Sequence, residues 1–214
     1  ENAPPRIQIL HPDRRRSLQP GGGRGAGHAA GRGRLLLAGA GLAQYGNFLM
    51  AILQSFINSS AYQESMTRIT EGKSLLMMIF WMGIVAPAAE EMIFRWLIYL
   101  RLRDWMKLPV AAVISGLIFG IYHGNIVQGI YASILGTAFA WILEMSGNIY
   151  SSMLLHMGAN IWSLVITEYA LDLFSMKYGV QILILIYLIL LAGVVCCLTH
   201  FEKVYSVRKK KRMI

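Results

Sequence analysis

SLLMMIFWMGIVAPAAEEMIFRWLIYL, Ser74–Leu100, decides how this chain is read. Ser74 to Ala89 carries no charge, then Glu90, Glu91 and Arg95 appear, then apolar residues resume. About 20 mostly apolar residues suffice to cross a bilayer. A charge at the middle of such a span costs about 3 kcal/mol on insertion scales, so the residues that bear it are functional candidates.

The rest of the chain agrees with a membrane reading. Of its 214 residues, 56% are hydrophobic and 14% charged, against about 25% charged in a soluble domain. Mean hydropathy is +0.50. The net charge of +9 is not spread over a face. It collects at the two ends and in one short loop, the pattern of cytoplasmic anchoring, so no nucleic-acid partner is expected. Cys196 and Cys197 are adjacent in an apolar run and are expected to be two reduced, membrane-facing thiols.

Residues 1–34 form a Gly/Arg-rich tail without apolar periodicity, expected to be disordered. No short apolar core leads to a cleavage site near the start, so a cleavable signal peptide is not expected. Six apolar segments follow within 35–202, and 203–214 is a basic tail. The segment containing Pro87 is expected to bend there. With the C-terminus placed in the cytoplasm, sixteen Lys and Arg lie inside and Arg68, Lys73 and Lys177 outside. The fold expected is all-α: a multi-pass bundle of about six transmembrane helices, both termini cytoplasmic, integral to a bacterial cell membrane.

Few ionisable residues fall within the spans. Glu144, Glu168 and His200 stand at segment ends, within reach of water. Glu91 and Arg95 are four apart, share a helix face and can pair. Glu90 points about 100° away and is left without a matched cation, which suits a general base. His123 follows Phe119 by four residues, and Asn160 follows His156 by four. A single intramembrane histidine is ordinarily a packed, hydrogen-bonded one. Two histidines, two glutamates and an asparagine on three apolar segments are satisfied most cheaply by meeting one another.

Two chemistries fit this set. Glu90 and His123 can deprotonate a water for attack on an amide carbonyl, with His156 and Asn160 donating to the oxyanion. Alternatively Glu90, His123 and His156 can ligate a zinc-bound water. No HExxH helix and no nucleophilic serine or cysteine motif is present.

In order and spacing these residues resemble the CPBP family of intramembrane proteases, also called Abi or type II CAAX-protease-like proteins. The family's EExxxR, FxxxH and HxxxN/D stand here as Glu90–Arg95, Phe119–His123 and His156–Asn160. The resemblance covers about residues 74–170. It implies an intramembrane endopeptidase of the CAAX or bacteriocin-processing type, acting on a peptide or protein substrate, prenylated or bacteriocin-like. It assigns Glu90 and His123 to water activation, His156 and Asn160 to the oxyanion hole, and Glu91, Arg95 and Phe119 to support. Members are often classed as metalloproteases. The metal-free glutamate mechanism is favoured here, with zinc on Glu90, His123 and His156 as the alternative. The competing functions are a non-catalytic immunity or scaffold protein of the same fold, a proton-coupled transporter, and a polar cluster that only holds helices together.

Overall fold

A computed structural model describes residues 27–57 and 60–211. Seven helices follow one another: α1 Gly27–Phe56, α2 Ala61–Thr70, α3 Leu75–Trp105, α4 Leu108–Tyr122, α5 Ile126–Ser146, α6 Ile149–Ser175 and α7 Gly179–Lys211. No strand occurs among the described residues. The chain is an all-α, multi-pass membrane bundle.

Local chemistry places the boundaries. The Ser74 side chain accepts from the Met77 amide at the start of α3. Asn125 caps α5 through the Gln128 amide at 2.8 Å, and Asn148 caps α6 through Tyr150 at 3.0 Å. Such caps satisfy amides that have no partner within the helix. Between α4 and α5 the chain reverses at Gly124, whose φ of 72° is cheap only for glycine.

Alternating direction gives the topology. Arg34 in α1 meets His200 in α7 and Gln44 meets Tyr187, so these helices are antiparallel. Gly158 of α6 lies against Leu36, and Ser163 bonds Asn47, so α6 runs parallel to α1. Met82 and Glu91 of α3 meet Asn160 and His156, so α3 opposes α6. Gly116 and Gly120 of α4 pack on Thr137 and Gly129 of α5, again antiparallel. Six crossings result, and the start of α1 and the end of α7 share one end of the bundle. Arg101, Arg103 and Lys107 lie at that same end, where Arg103 meets Glu144 of α5.

Five helices are long and apolar enough to cross a membrane, and α4 is shorter. Its 15 residues reach about 22 Å, against about 30 Å of hydrocarbon. It counts as a crossing because it reverses the chain's direction beside α5.

The ends differ from the simple division expected. Helix α1 starts at Gly27, so it takes in the last part of the Gly/Arg-rich stretch. The remainder of that stretch, residues 1–26, lies outside the described residues. Helix α7 continues to Lys211, making most of the basic tail an extension of the last span. Cys196 faces outward while Cys197 is buried. Adjacent helix positions point in different directions, so both cannot face lipid.

Helix α3 is not uniformly wound. Two wider, π-type stretches, Ile79–Val85 and Met92–Tyr99, flank an α-helical Ala86–Glu91. The Ala86 amide reaches back five residues to Trp81, and Leu100 reaches back five to Arg95. The bend expected at Pro87 thus takes the form of a change in winding. Such stretches are uncommon and recur at functional sites.

Candidate active site

The buried centre lies where α3, α4, α5 and α6 meet. Phe119 of α4 is 2% exposed and has four polar or aromatic neighbours around it. Arg95 sits 4.5 Å from its ring centroid, and Phe94 packs edge-on at 4.9 Å. The rings of His123 and His156 meet it edge-on at 4.7 and 5.6 Å. Sequence reading marked Phe119 as a supporting residue, and here it is the common neighbour of both histidines.

Glu91 and Arg95 form the expected pair. Arg95 Nε lies 3.2 Å from Glu91 Oε2, and neither side chain is exposed at all. Distance makes this an ion pair, although its angle falls short of a hydrogen bond, and Arg95 Nη1 has no hydrogen-bond partner among the described residues. Arg95 Nη2 donates to the Gly136 carbonyl of α5 at 3.0 Å. The rings of Phe119 and Phe139 lie beside the guanidinium, at 4.5 and 5.2 Å. A buried charge is tolerated only when so enclosed by partners.

His156 of α6 joins the two glutamates. Its Nδ1 is 2.9 Å from Glu91 Oε1, and its Nε2 is 3.6 Å from Glu90 Oε2. A carboxylate oxygen accepts, so Nδ1 donates to Glu91. Glu90 points away from Glu91 around the helix, yet both reach one imidazole because its nitrogens lie on opposite sides of the ring. Phe139 stacks on His156 with centroids 4.5 Å apart and holds the ring's plane.

His123 closes α4, and its Nδ1 lies 2.8 Å from the Phe119 carbonyl. A carbonyl only accepts, so Nδ1 carries the hydrogen and Nε2 of the neutral ring presents its lone pair. No direct hydrogen bond or ion pair joins His123 to Glu90 among the described residues. Asn160 Nδ2 donates to the Met82 carbonyl at 2.9 Å. Glu90, Glu91, Arg95, Phe119, His123 and His156 are thus linked by direct contacts, while Asn160 is tied to the backbone of α3 at Met82.

Of the alternative zinc set, Glu90 and His156 approach each other to 3.6 Å. Among the described residues no three His, Cys, Asp or Glu side chains form a group that could hold a metal ion. His123 Nδ1 is bound to the Phe119 carbonyl and His156 Nδ1 to Glu91, which leaves the Nε2 atom of each ring as the one able to ligate.

Residues 72–162 match the family described as "Type II CAAX prenyl endopeptidase Rce1-like". This segment is similar to that family and covers less than half of the chain. A Bacillus subtilis (strain 168) protein named "Putative membrane peptidase YdiL" is 29% identical over 89 residues. That match covers 42% of this chain and 36% of the relative's own length. No solved structure matches. The matched segment contains all three motifs and ends at Trp162, within α6. Helices α1 and α7 lie outside it and are tied to it through Trp162 itself. Its Nε1 donates to Gln44 Oε1 at 2.6 Å, and Gln44 Nε2 donates to the Tyr187 hydroxyl at 2.8 Å.

Sequence reading missed Phe139, Gly136 and Ser152. Phe139 and Gly136 are uncharged residues in an apolar helix and carry no local sign of their role. Ser152 is fully buried and faces Glu91. It stands four residues before His156, so a stripe of Ser152, His156 and Asn160 was visible in principle. Glu144 also differs from expectation. Rather than facing water, it binds Arg103 at 3.2 Å and the Tyr99 hydroxyl at 3.0 Å, with 15% of its side chain exposed. Arg103 and Tyr99 lie four residues apart on α3, so Glu144 gathers both.

Proposed function

We propose that the chain is a membrane-embedded peptidase that hydrolyses a peptide bond with a water activated by Glu90 and His123. The observation that carries this reading is the gradient of access within the cluster. Glu91 and Arg95 are wholly buried and His156 is 5% exposed at its side chain, while Glu90 keeps 18%. His123 is likewise half-buried, with Nε2 free of its backbone bond. These are the carboxylate and imidazole that the site leaves least committed, and the proposed water would meet them there.

In the proposed reaction Glu90 or His123 takes a proton from water as its oxygen bonds to the scissile carbonyl carbon. The carbonyl π pair moves to oxygen. Asn160 retains a second amide hydrogen beyond the one given to Met82 and can donate it to that oxyanion. His156 can do so through Nε2 when that nitrogen is protonated. Donors fixed in a low-dielectric site stabilise such charge strongly. Collapse breaks the C–N bond, and the proton held by the base passes to the leaving amine. Glu91 and Arg95 do not touch the reacting atoms; they fix His156. No step is routed through a metal.

The substrate class is a peptide or protein at the membrane, prenylated or bacteriocin-like. The deciding experiment is cleavage of a library of membrane-associated peptides by purified protein in detergent or liposomes. Glu90→Gln and His123→Ala should each reduce cleavage at least about 100-fold, the usual scale of general acid–base catalysis. Full activity in either variant would remove that residue from the mechanism. A folded wild type inactive on a broad library would favour the immunity or scaffold role.

A further inference from the structure

We infer that Asn160 is a positioning residue that completes the backbone of α3 at its proline and so sets Glu90 and Glu91 opposite His156. The argument starts with a carbonyl. In the π-wound stretch before Pro87 each carbonyl is taken by the amide five residues on, as Trp81 is by Ala86. The carbonyl of Met82 would therefore need the amide of residue 87. That residue is Pro87, which has none. The α-type partner, the Ala86 amide, is already given to Trp81. The proline thus orphans the Met82 carbonyl, and within a bilayer an unpaired carbonyl costs several kcal/mol.

Asn160 supplies the missing donor, Nδ2 to Met82 O at 2.9 Å. Because a carbonyl only accepts, the amide's orientation here is unambiguous. A second observation places the helices for it. Gly83 follows Met82, and a Cβ there would lie 2.8 Å from Cγ1 of Ile161, the residue after Asn160. The absent side chain brings α6 close at this level. One turn earlier on α6, His156 makes a further polar contact to α3, at Glu91. The two anchors bracket Pro87, and between them they fix the height of α3 against α6.

The pairing is independent of the proposed peptidase activity; its effect on catalysis rests on that reading. The test is a cycle of Pro87→Ala, Asn160→Ala and the double variant, in the full chain in detergent. Residue 87 as alanine has an amide for Met82, so Asn160 becomes dispensable to the backbone. Asn160→Ala should lower the unfolding midpoint by at least about 2 to 4 °C with Pro87 present. With Pro87→Ala it should lower it markedly less. Equal shifts in the two backgrounds would overturn the pairing. If Asn160→Ala alone does not fold, folding of the double variant supports the pairing, and its failure while Pro87→Ala folds overturns it.

Cleavage supplies the positioning readout. Pro87→Ala should recover about tenfold of the rate lost in Asn160→Ala, since small misplacements carry large kinetic costs. A pure oxyanion donor would show no recovery, and that result overturns the positioning role even where the unfolding cycle is non-additive. A wild type that cleaves nothing is a failure of the peptidase reading, and the unfolding cycle still decides the pairing.

Discussion

His156 Nδ1 lies 2.9 Å from Glu91 Oε1, although the two residues are 65 positions apart. This contact joins α6 to α3 and, through Arg95, to the Gly136 carbonyl of α5. A buried charge chain of this kind resists interruption at any one member.

Removing one member should therefore cost more than removing a surface ion pair. Arg95→Ala leaves Glu91 buried beside a histidine and without its guanidinium. Breaking a buried pair costs about 3 to 5 kcal/mol. Thermal unfolding in detergent should show a large loss for Arg95→Ala and also for Arg95→Lys. Lysine has a single charged nitrogen and cannot span Glu91 and Gly136 with the same fork. An unfolding midpoint for Arg95→Lys equal to wild type would contradict this account.

Gly136→Ala should disturb the site without touching a polar side chain. Its Cβ would lie 2.9 Å from Phe119 Cδ1 and 3.0 Å from Arg95 Nη2. Overpacking of this sort costs about 1 to 3 kcal/mol, and cleavage should fall because both histidines abut Phe119. Gly33→Ala is the matched control, since nothing lies within 4 Å of a Cβ there. Comparable losses in the two variants would point to a general intolerance of alanine instead.

Tyr99→Phe separates the cluster around Glu144 from the site. It deletes the 3.0 Å bond to Glu144 and leaves the Arg103 contact in place. A loss of about 1 to 3 kcal/mol is expected for a hydrogen bond to a charged group. The cleavage rate should stay within a factor of about two. A large fall in rate with unchanged stability would place Tyr99 in the reaction.

Chelation should leave cleavage unchanged. Among the described residues Glu90, His123 and His156 do not form a three-ligand group that could hold a metal ion. A rate lost on chelation and restored by zinc would sink the metal-free mechanism and require these three side chains to rearrange.

Much of the site was legible because its residues are misplaced in an apolar context. Glu90, Glu91, Arg95, His123, His156 and Asn160 each violate membrane composition, so each announces itself. Residues that obey it do not. Phe139 orients His156 and Gly136 receives Arg95, yet either could be any residue of an apolar helix. Glu144 was misjudged because a position near a helix end looks wet in sequence. Arg103 and Tyr99 gather it inward only once α3 lies beside α5.

The sequence by itself determined the class of fold and the polar set. Hydropathy and charge are sums over local residues, and the three motifs are local spacings. Only the tertiary structure decided that one imidazole serves two glutamates, that Phe119 is shared by both histidines, and that Asn160 faces the backbone of α3. Each of these depends on how two helices are set in height and rotation against one another. That setting is decided by side-chain packing and by which buried carbonyls and charges find partners in a solvent that offers none.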